Sequence, residues 1–127
     1  MILVTGGDFQ GKTDFVKSHF LCSVIDGKIC DFDEILSAKC VSNYHLFLKR
    51  LIEHGKNPIA FTERLCRENP DLIVIMNEIG CGVVPIEKED RIWREQTGRA
   101  GCIIAAFSDK VVRICCGIPT VIKGELG

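Results

Sequence analysis

Eight consecutive residues of this chain have the types and the spacing for phosphate chemistry. Gly6-Gly7-Asp8-Phe9-Gln10-Gly11-Lys12-Thr13 reads G-x-x-x-x-G-K-[ST]. Glycines at positions 6, 7 and 11 admit backbone conformations that a side chain forbids. Successive N–H groups can then converge on phosphate oxygens as an anion-binding nest, and a helix starting near Gly11 adds the positive end of its dipole. Lys12 is the residue type that reaches the β- and γ-phosphates as a point charge, and the Thr13 hydroxyl is of the type that ligates Mg²⁺. So loose a pattern also arises by chance in a chain with many glycines. Its setting argues otherwise: the apolar run Met1-Ile2-Leu3-Val4-Thr5 precedes it with strand character, and Asp14-Phe15-Val16-Lys17-Ser18-His19-Phe20-Leu21 can form a helix behind it.

Further residues are candidates for the same site. Cys22-Ser23-Val24-Ile25-Asp26-Gly27 reads as a short strand ending in an acid, which would set the Asp26 carboxylate on the Mg²⁺ side, facing Thr13. A plain Asp-Gly turn explains the same pair equally well. Farther on, Asp71-Leu72-Ile73-Val74-Ile75-Met76 runs into Asn77-Glu78-Ile79-Gly80-Cys81-Gly82-Val83-Val84-Pro85. Ligands of open α/β sheets bind beyond the carboxyl ends of the strands. Asn77, with donors and an acceptor, and Glu78, with a carboxylate, are therefore expected beside the phosphate loop, where Gly80 and Gly82 allow a ligand close to the backbone; turn chemistry is the alternative reading. Arg91, Arg94 and Arg99 carry planar forks suited to phosphate, although such residues on a helix are more often solvated or salt-bridged. Lys12, Asp26 and Glu78 are the candidate catalytic groups, and Thr13 and Asp26 the candidate Mg²⁺ ligands. The nucleotide is ATP or GTP; no N-K-x-D tetrapeptide selects the base.

The elements that must position these groups alternate between strand and helix. Asp31-Phe32-Asp33-Glu34 has the form of a capping box and predicts a short helix over about 32–38. Val41, Tyr44, Phe47, Leu48, Leu51 and Ile52 fall on one helical face, closed by His54-Gly55. His45 and His54 on this helix read as surface or capping residues. Asn57-Pro58 opens the next helix as N-cap and first residue, and Asn69-Pro70 ends it. Residues 71–76 form a nearly continuous apolar strand of the kind buried on both faces. A long helix spans 86–108, residues 111–116 form a strand, and residues 120–123 return as a hairpin partner on the sheet edge. The alternation predicts one α/β domain over residues 1–127, with a mostly parallel sheet.

Composition narrows the function classes. With 26% charged and 46% hydrophobic residues, 127 residues suffice for one domain with its own core. A net charge of −1, with no basic run, gives no electrostatic case for nucleic acid or anionic membrane as a partner. No apolar run has the length of a signal or a membrane span, so a cytoplasmic protein is expected. None of the eight cysteines forms a C-x-x-C pair; reduced thiols serving as small apolar residues are expected.

Residues 1–13 and 77–85 together resemble the adenosylcobinamide kinase / adenosylcobinamide-phosphate guanylyltransferase family of cobalamin biosynthesis. That family opens with a short strand and a GG-x-x-x-GK-[ST] loop and carries NE-x-G-x-G-[IV]-VP after a later strand. Asn77, Glu78, Gly80, Gly82, Val84 and Pro85 match the second motif, and Arg91, Arg94, Gly98 and Arg99 match in spacing behind it. The closing strand through Gly117-Ile118 to Ile122-Lys123 is similar too. The resemblance covers roughly the first 22 and the last 55 residues. It implies a RecA-like P-loop fold of three layers and a homotrimer. It further implies Mg²⁺-dependent transfer of a γ-phosphoryl to the aminopropanol hydroxyl of a corrinoid, and transfer of GMP to that phosphate through a histidine. Two departures are visible. The chain is shorter than family members between the loop and Asn77, where they carry the guanylylated histidine, and Gly101 stands where they tend to have Asn. Three readings follow: a corrinoid kinase, a nucleotide-binding module without catalysis, and a guanylyltransferase with His45 or His54 as a relocated nucleophile.

Overall fold

The computed structural model describes residues 1–7, 11–79 and 87–125. Strands and helices alternate: β1 (Ile2–Gly6), α1 (Lys12–Phe20), β2 (Ile25–Asp26), a 3₁₀ turn (Glu34–Ser37), β3 (Cys40–Ser42), α2 (Tyr44–Glu53), α3 (Pro58–Glu68), β4 (Ile73–Asn77), α4 (Lys88–Phe107), β5 (Lys110–Cys115) and β6 (Ile118–Lys123). Among the described residues the strands form one sheet in the order β2-β3-β4-β1-β5-β6. It is parallel except for the closing β5–β6 pair. This is the α/β P-loop fold expected, with its antiparallel C-terminal edge.

Alternation along the strands builds the three layers. Leu3 of β1, Val74 and Met76 of β4 and Val111 of β5 pack with Leu48 and Leu51 of α2, Leu65 of α3 and Ala100 and Ile104 of α4. Their neighbours Val4, Ile73, Ile75, Val112 and Ile114 go to the other face, against Val16 of α1. Both faces of the central strands are covered, which is why β4 reads as an unbroken apolar run. No described helix is long and apolar enough to cross a membrane.

Several local expectations hold in detail. Asn57 caps α3, its side-chain oxygen accepting from the N–H groups of Ile59 and Ala60 at 3.0 and 3.1 Å. Gly55 ends α2 at φ 69°. The capping box over 31–34 is half made: Asp31 N–H donates to Glu34 Oε2 at 3.3 Å, but only a 3₁₀ turn follows. One strand was not anticipated. Val41, expected in a helix, lies in β3, which inserts between β2 and β4, and α2 begins only after Asn43 takes a left-handed conformation at φ 55°. Three residues carry no readable periodicity; sheet pairing, not pattern, makes this strand.

Two features generate tests. A Cβ on Gly6, the last residue of β1, would lie 2.4 Å from the Ile114 carbonyl oxygen of β5. Gly6→Ala therefore forces β1 and β5 apart, and thermal or denaturant unfolding should show a loss of about 2 kcal/mol or more. The cysteines divide: Cys30, Cys40 and Cys66 are buried as expected of small apolar residues, whereas Cys102, Cys115 and Cys116 are exposed. Burial pushes the Cys40 thiol up from 9.0 to about 12, with the neighbouring Cys22 adding to it. A thiol whose pKa is raised in the folded state keeps its full contribution below the unfolded value of 9.0 and loses it as pH climbs toward about 12. Stability should fall across that window by up to about 1.4 kcal/mol per pH unit, and Cys40→Ala should flatten that component in pH-dependent unfolding curves.

Candidate active site

β1 lies between β4 and β5 in the middle of the sheet, and the candidate phosphate loop leaves its carboxyl end. Asp8, Phe9 and Gln10 fall outside the described residues. The two ends of the loop are described. Gly11 caps α1 in the left-handed region at φ 83°, with no side-chain cap, so the first-turn N–H groups of α1 are presented to an anion. A Cβ at Gly11 would stand 3.5 Å from Gly117 Cα, which places the β5–β6 turn against the loop's flank. Lys12 is 8% exposed, and its ammonium donates to the Gly7 carbonyl at 2.6 Å. Lys12 thus folds back onto the first residues of the loop. Thr13 follows in the first turn of α1.

The strand beside the loop brings the second group. Gly6 pairs with Asn77 in the β1–β4 register, and Glu78 N–H donates to the Gly6 carbonyl at 2.8 Å. Glu78 therefore leaves β4 alongside the loop. Its carboxylate is held in a fork by Arg113 of β5, with Nε–Oε1 at 2.8 Å and Nη2–Oε2 at 3.2 Å. Arg113 is half-exposed, so this pair orients the carboxylate more than it stabilises the fold. Behind Asn77 stands His45, 4% exposed at the start of α2. Its Nδ1 accepts the Asn77 N–H at 3.1 Å, so that nitrogen carries no proton and the ring is the Nε2–H form. Trp93 of α4 donates its indole N–H to the His45 carbonyl at 2.7 Å and ties α4 to the same point.

The sheet order does not bring Asp26 to Thr13. Asp26 ends β2, an edge strand separated from β1 by β3 and β4, about 14 Å away at the usual strand spacing. Its carboxylate instead accepts from Lys28 N–H at 2.9 Å and Asn43 Nδ2 at 3.0 Å, which is the turn reading of Asp-Gly. Arg91 and Arg94 lie in the first half of α4, toward the carboxyl end of the sheet; Arg91 and Arg99 are exposed. Gly80 falls outside the described residues. His54 caps the far end of α2 with its Nδ1 on the Arg50 carbonyl, about 14 Å along the helix from His45.

Arg113 was not singled out by pattern, although it had a signal, a lone charge inside the apolar run Val111-Val112-Arg113-Ile114. His45, expected as a surface or capping residue, is buried instead, because α2 packs it against the end of β4. Replacing His45 by Ala leaves the Asn77 N–H without its acceptor, an effect of about 1–3 kcal/mol. His45→Asn, which keeps an acceptor near the same place, should recover much of that loss in denaturant unfolding and in hydrogen exchange at Asn77 and Glu78.

The family model described as cobinamide kinase / cobinamide phosphate guanyltransferase matches residues 39–122. The match runs from β3 into β6 and contains His45, Asn77, Glu78, the α4 arginines and Arg113; the phosphate loop precedes it. It also takes in α2 and α3, which the motif-level resemblance had left out. No curated protein matches the chain. With well over half of its residues matched, and with its P-loop and Glu78 side by side on a P-loop α/β sheet, the chain belongs to the cobinamide kinase / cobinamide phosphate guanyltransferase family.

Proposed function

We propose that the chain is a nucleotide-dependent kinase of this family, moving the γ-phosphoryl of ATP or GTP to the aminopropanol hydroxyl of a corrinoid. One observation carries the reading: the strand bearing the phosphate loop and the strand bearing Glu78 are hydrogen-bonded neighbours, joined at their carboxyl ends by Glu78 N–H on the Gly6 carbonyl at 2.8 Å. The uncapped start of α1 and the buried Lys12 ammonium fit a triphosphate. In the chemistry assigned to this chain, Lys12 leaves the Gly7 carbonyl to neutralise charge on the transferring phosphoryl. Thr13 would hold Mg²⁺, a hard cation suited to its hydroxyl oxygen, which would supply further charge neutralisation. Glu78, oriented by Arg113, aligns the acceptor hydroxyl and takes its proton. The hydroxyl oxygen bonds to the γ-phosphorus as the bond to the bridging oxygen breaks, and the nucleoside diphosphate leaves. Positioning and electrostatics do most of the work in such transfers.

The guanylyl half of the family's chemistry needs a nucleophilic histidine. His45 is buried with Nδ1 engaged, and His54 sits at the opposite end of α2. Both features weigh against a relocated nucleophile.

Labelled γ-phosphate and cobinamide test the proposal. Transfer should be Mg²⁺-dependent. Lys12→Ala should reduce it at least about 100-fold, and Glu78→Gln by about 10²–10⁴ if the carboxylate is the base. Nucleotide binding without transfer above the Lys12→Ala background would show a non-catalytic module, and an acid-labile protein-bound GMP would restore the guanylyl reading.

A further inference from the structure

On the α4 side of the sheet, where β1 and β4 end, the structure holds a solvent-open pocket of about 260 Å³. Leu3 and Met76 form its floor on the strands, and Thr97, Gly98 and Gly101 form its wall on α4, with the part-exposed Glu78 also lining it. Of the site described above, Asn77 and Glu78 border this space. Three observations bear on what it does.

The first is an orphaned hydroxyl. Thr97 is 2% exposed, and its Oγ1 has no hydrogen-bond partner among the described residues. Hydroxyls inside helices ordinarily bond the carbonyl four residues back. In this chain Ser18, Thr62 and Ser108 do so, at 2.8, 2.8 and 2.6 Å. Thr97 does not. Thr97 lines this pocket, and a helical Thr has two open χ1 rotamers between which its hydroxyl can turn toward an occupant.

The second is the pair of glycines. Positions 97, 98, 101, 102 and 105 all line the cavity, one stripe at helical spacing. Two of them are glycines inside a 20-residue helix, where glycine is a poor former. Packing does not call for either one. A Cβ on Gly101 would meet Met76 Cε at 3.7 Å, an ordinary contact, and a Cβ on Gly98 would meet nothing within 4 Å. What both glycines do is keep the space open.

The third is chemistry and place. Among the described residues the walls are mostly apolar, and their one lining carboxylate, Glu78, is already paired with Arg113. A charged occupant would go uncompensated. The volume lies below the roughly 300–1,000 Å³ that holds a whole drug-sized molecule. The cavity reaches Glu78, at the same end of the sheet as the phosphate loop.

We infer that this cavity is a subsite that takes one short, neutral aliphatic arm of the acceptor, tipped by a hydroxyl or a carboxamide that completes the hydrogen bonding of Thr97. That the arm belongs to a corrinoid rests on the function proposed above; the subsite itself does not. Cobinamide, whose corrin ring bears short amide arms and one hydroxyl-ended arm, is the first probe. It should shift the backbone amide resonances of Gly98, Gly101 and Cys102 in the wild-type chain. Thr97→Val, which removes the hydroxyl at nearly constant shape, should weaken cobinamide binding about fivefold or more, and Gly101→Leu, which fills the space, more strongly. Thr97→Ser should restore binding, and Mg²⁺–nucleotide affinity should stay unchanged throughout. Gly101→Ala, whose added methyl meets only an ordinary contact, carries the test if Gly101→Leu does not fold. Unchanged cobinamide affinity in folded Thr97→Val and Gly101→Ala, with shifts confined to other surfaces, overturns the subsite. If cobinamide does not bind the wild-type chain, propionamide and 2-propanol replace it. Amide shifts at 97–102 that vanish in Thr97→Val then support the subsite, name its preferred head group and retire the corrinoid reading. No shift with any of the three probes, or a site filled by water alone, overturns the inference.

Discussion

The candidate site depends on one pairing, β1 with β4 in parallel register. Gly6 lies opposite Asn77, and the Glu78 N–H closes on the Gly6 carbonyl at 2.8 Å. That contact joins a loop near the start of the sequence to a carboxylate more than seventy residues later. It also requires a glycine at the end of β1, because any side chain there would run into β5 at Ile114. A strand neighbour on each side holds the end of β1 from which the loop leaves. The start of α1 and the carboxylate beside it are therefore positioned by the sheet, the condition under which preorganised charge is effective, while the Lys12 ammonium rests on the Gly7 carbonyl.

Around that pairing the carboxylate is set by groups on three other elements. Arg113 from β5 grips it from the front. His45 from α2 takes the Asn77 N–H from behind, and Trp93 from α4 binds the His45 carbonyl. The last two bonds are part-buried; the first satisfies an N–H at the end of β4, and the second ties α4 to the first turn of α2. The histidine serves as a strut because its Nδ1 accepts. A nitrogen committed in that way is a poor nucleophile, so the geometry that supports kinase chemistry is the same geometry that disfavours guanylyl transfer through His45.

How much of this was legible in the sequence follows from how local each signal is. The phosphate loop and Asn77-Glu78 are contiguous motifs at strand ends, and the fold places both where such motifs must go. The Asn57 cap and the Gly55 stop are equally local, and both appear as read. Asp26 shows the limit. A strand was read over residues 22–27 and only Ile25–Asp26 forms one; the order of strands in a sheet is not written in any one strand, and β3 and β4 lie between it and the loop. A strand of three residues such as β3 has no period to detect. His45 and Thr97 acquire their roles only through contacts across elements, and neither residue type at a helical position announces them.

Helix α4 then has two tasks that its sequence separates by turns. Its first turns carry Trp93 against α2, with Arg91 and Arg94 toward the carboxyl end of the sheet. Its middle turns should be the best-packed part of a long helix lying on a sheet, and at Ala100 and Ile104 they are. Yet on the adjacent stripe the chain places two glycines and leaves a buried hydroxyl unsatisfied. A helix selected for stability alone would put alanine or leucine at those positions and a back-bonded or apolar residue at 97. Local rules broken together, on one stripe that reaches Glu78, are the pattern expected where a fold gives up packing for a ligand, and among the described residues Thr97 is the one buried side chain left without a partner.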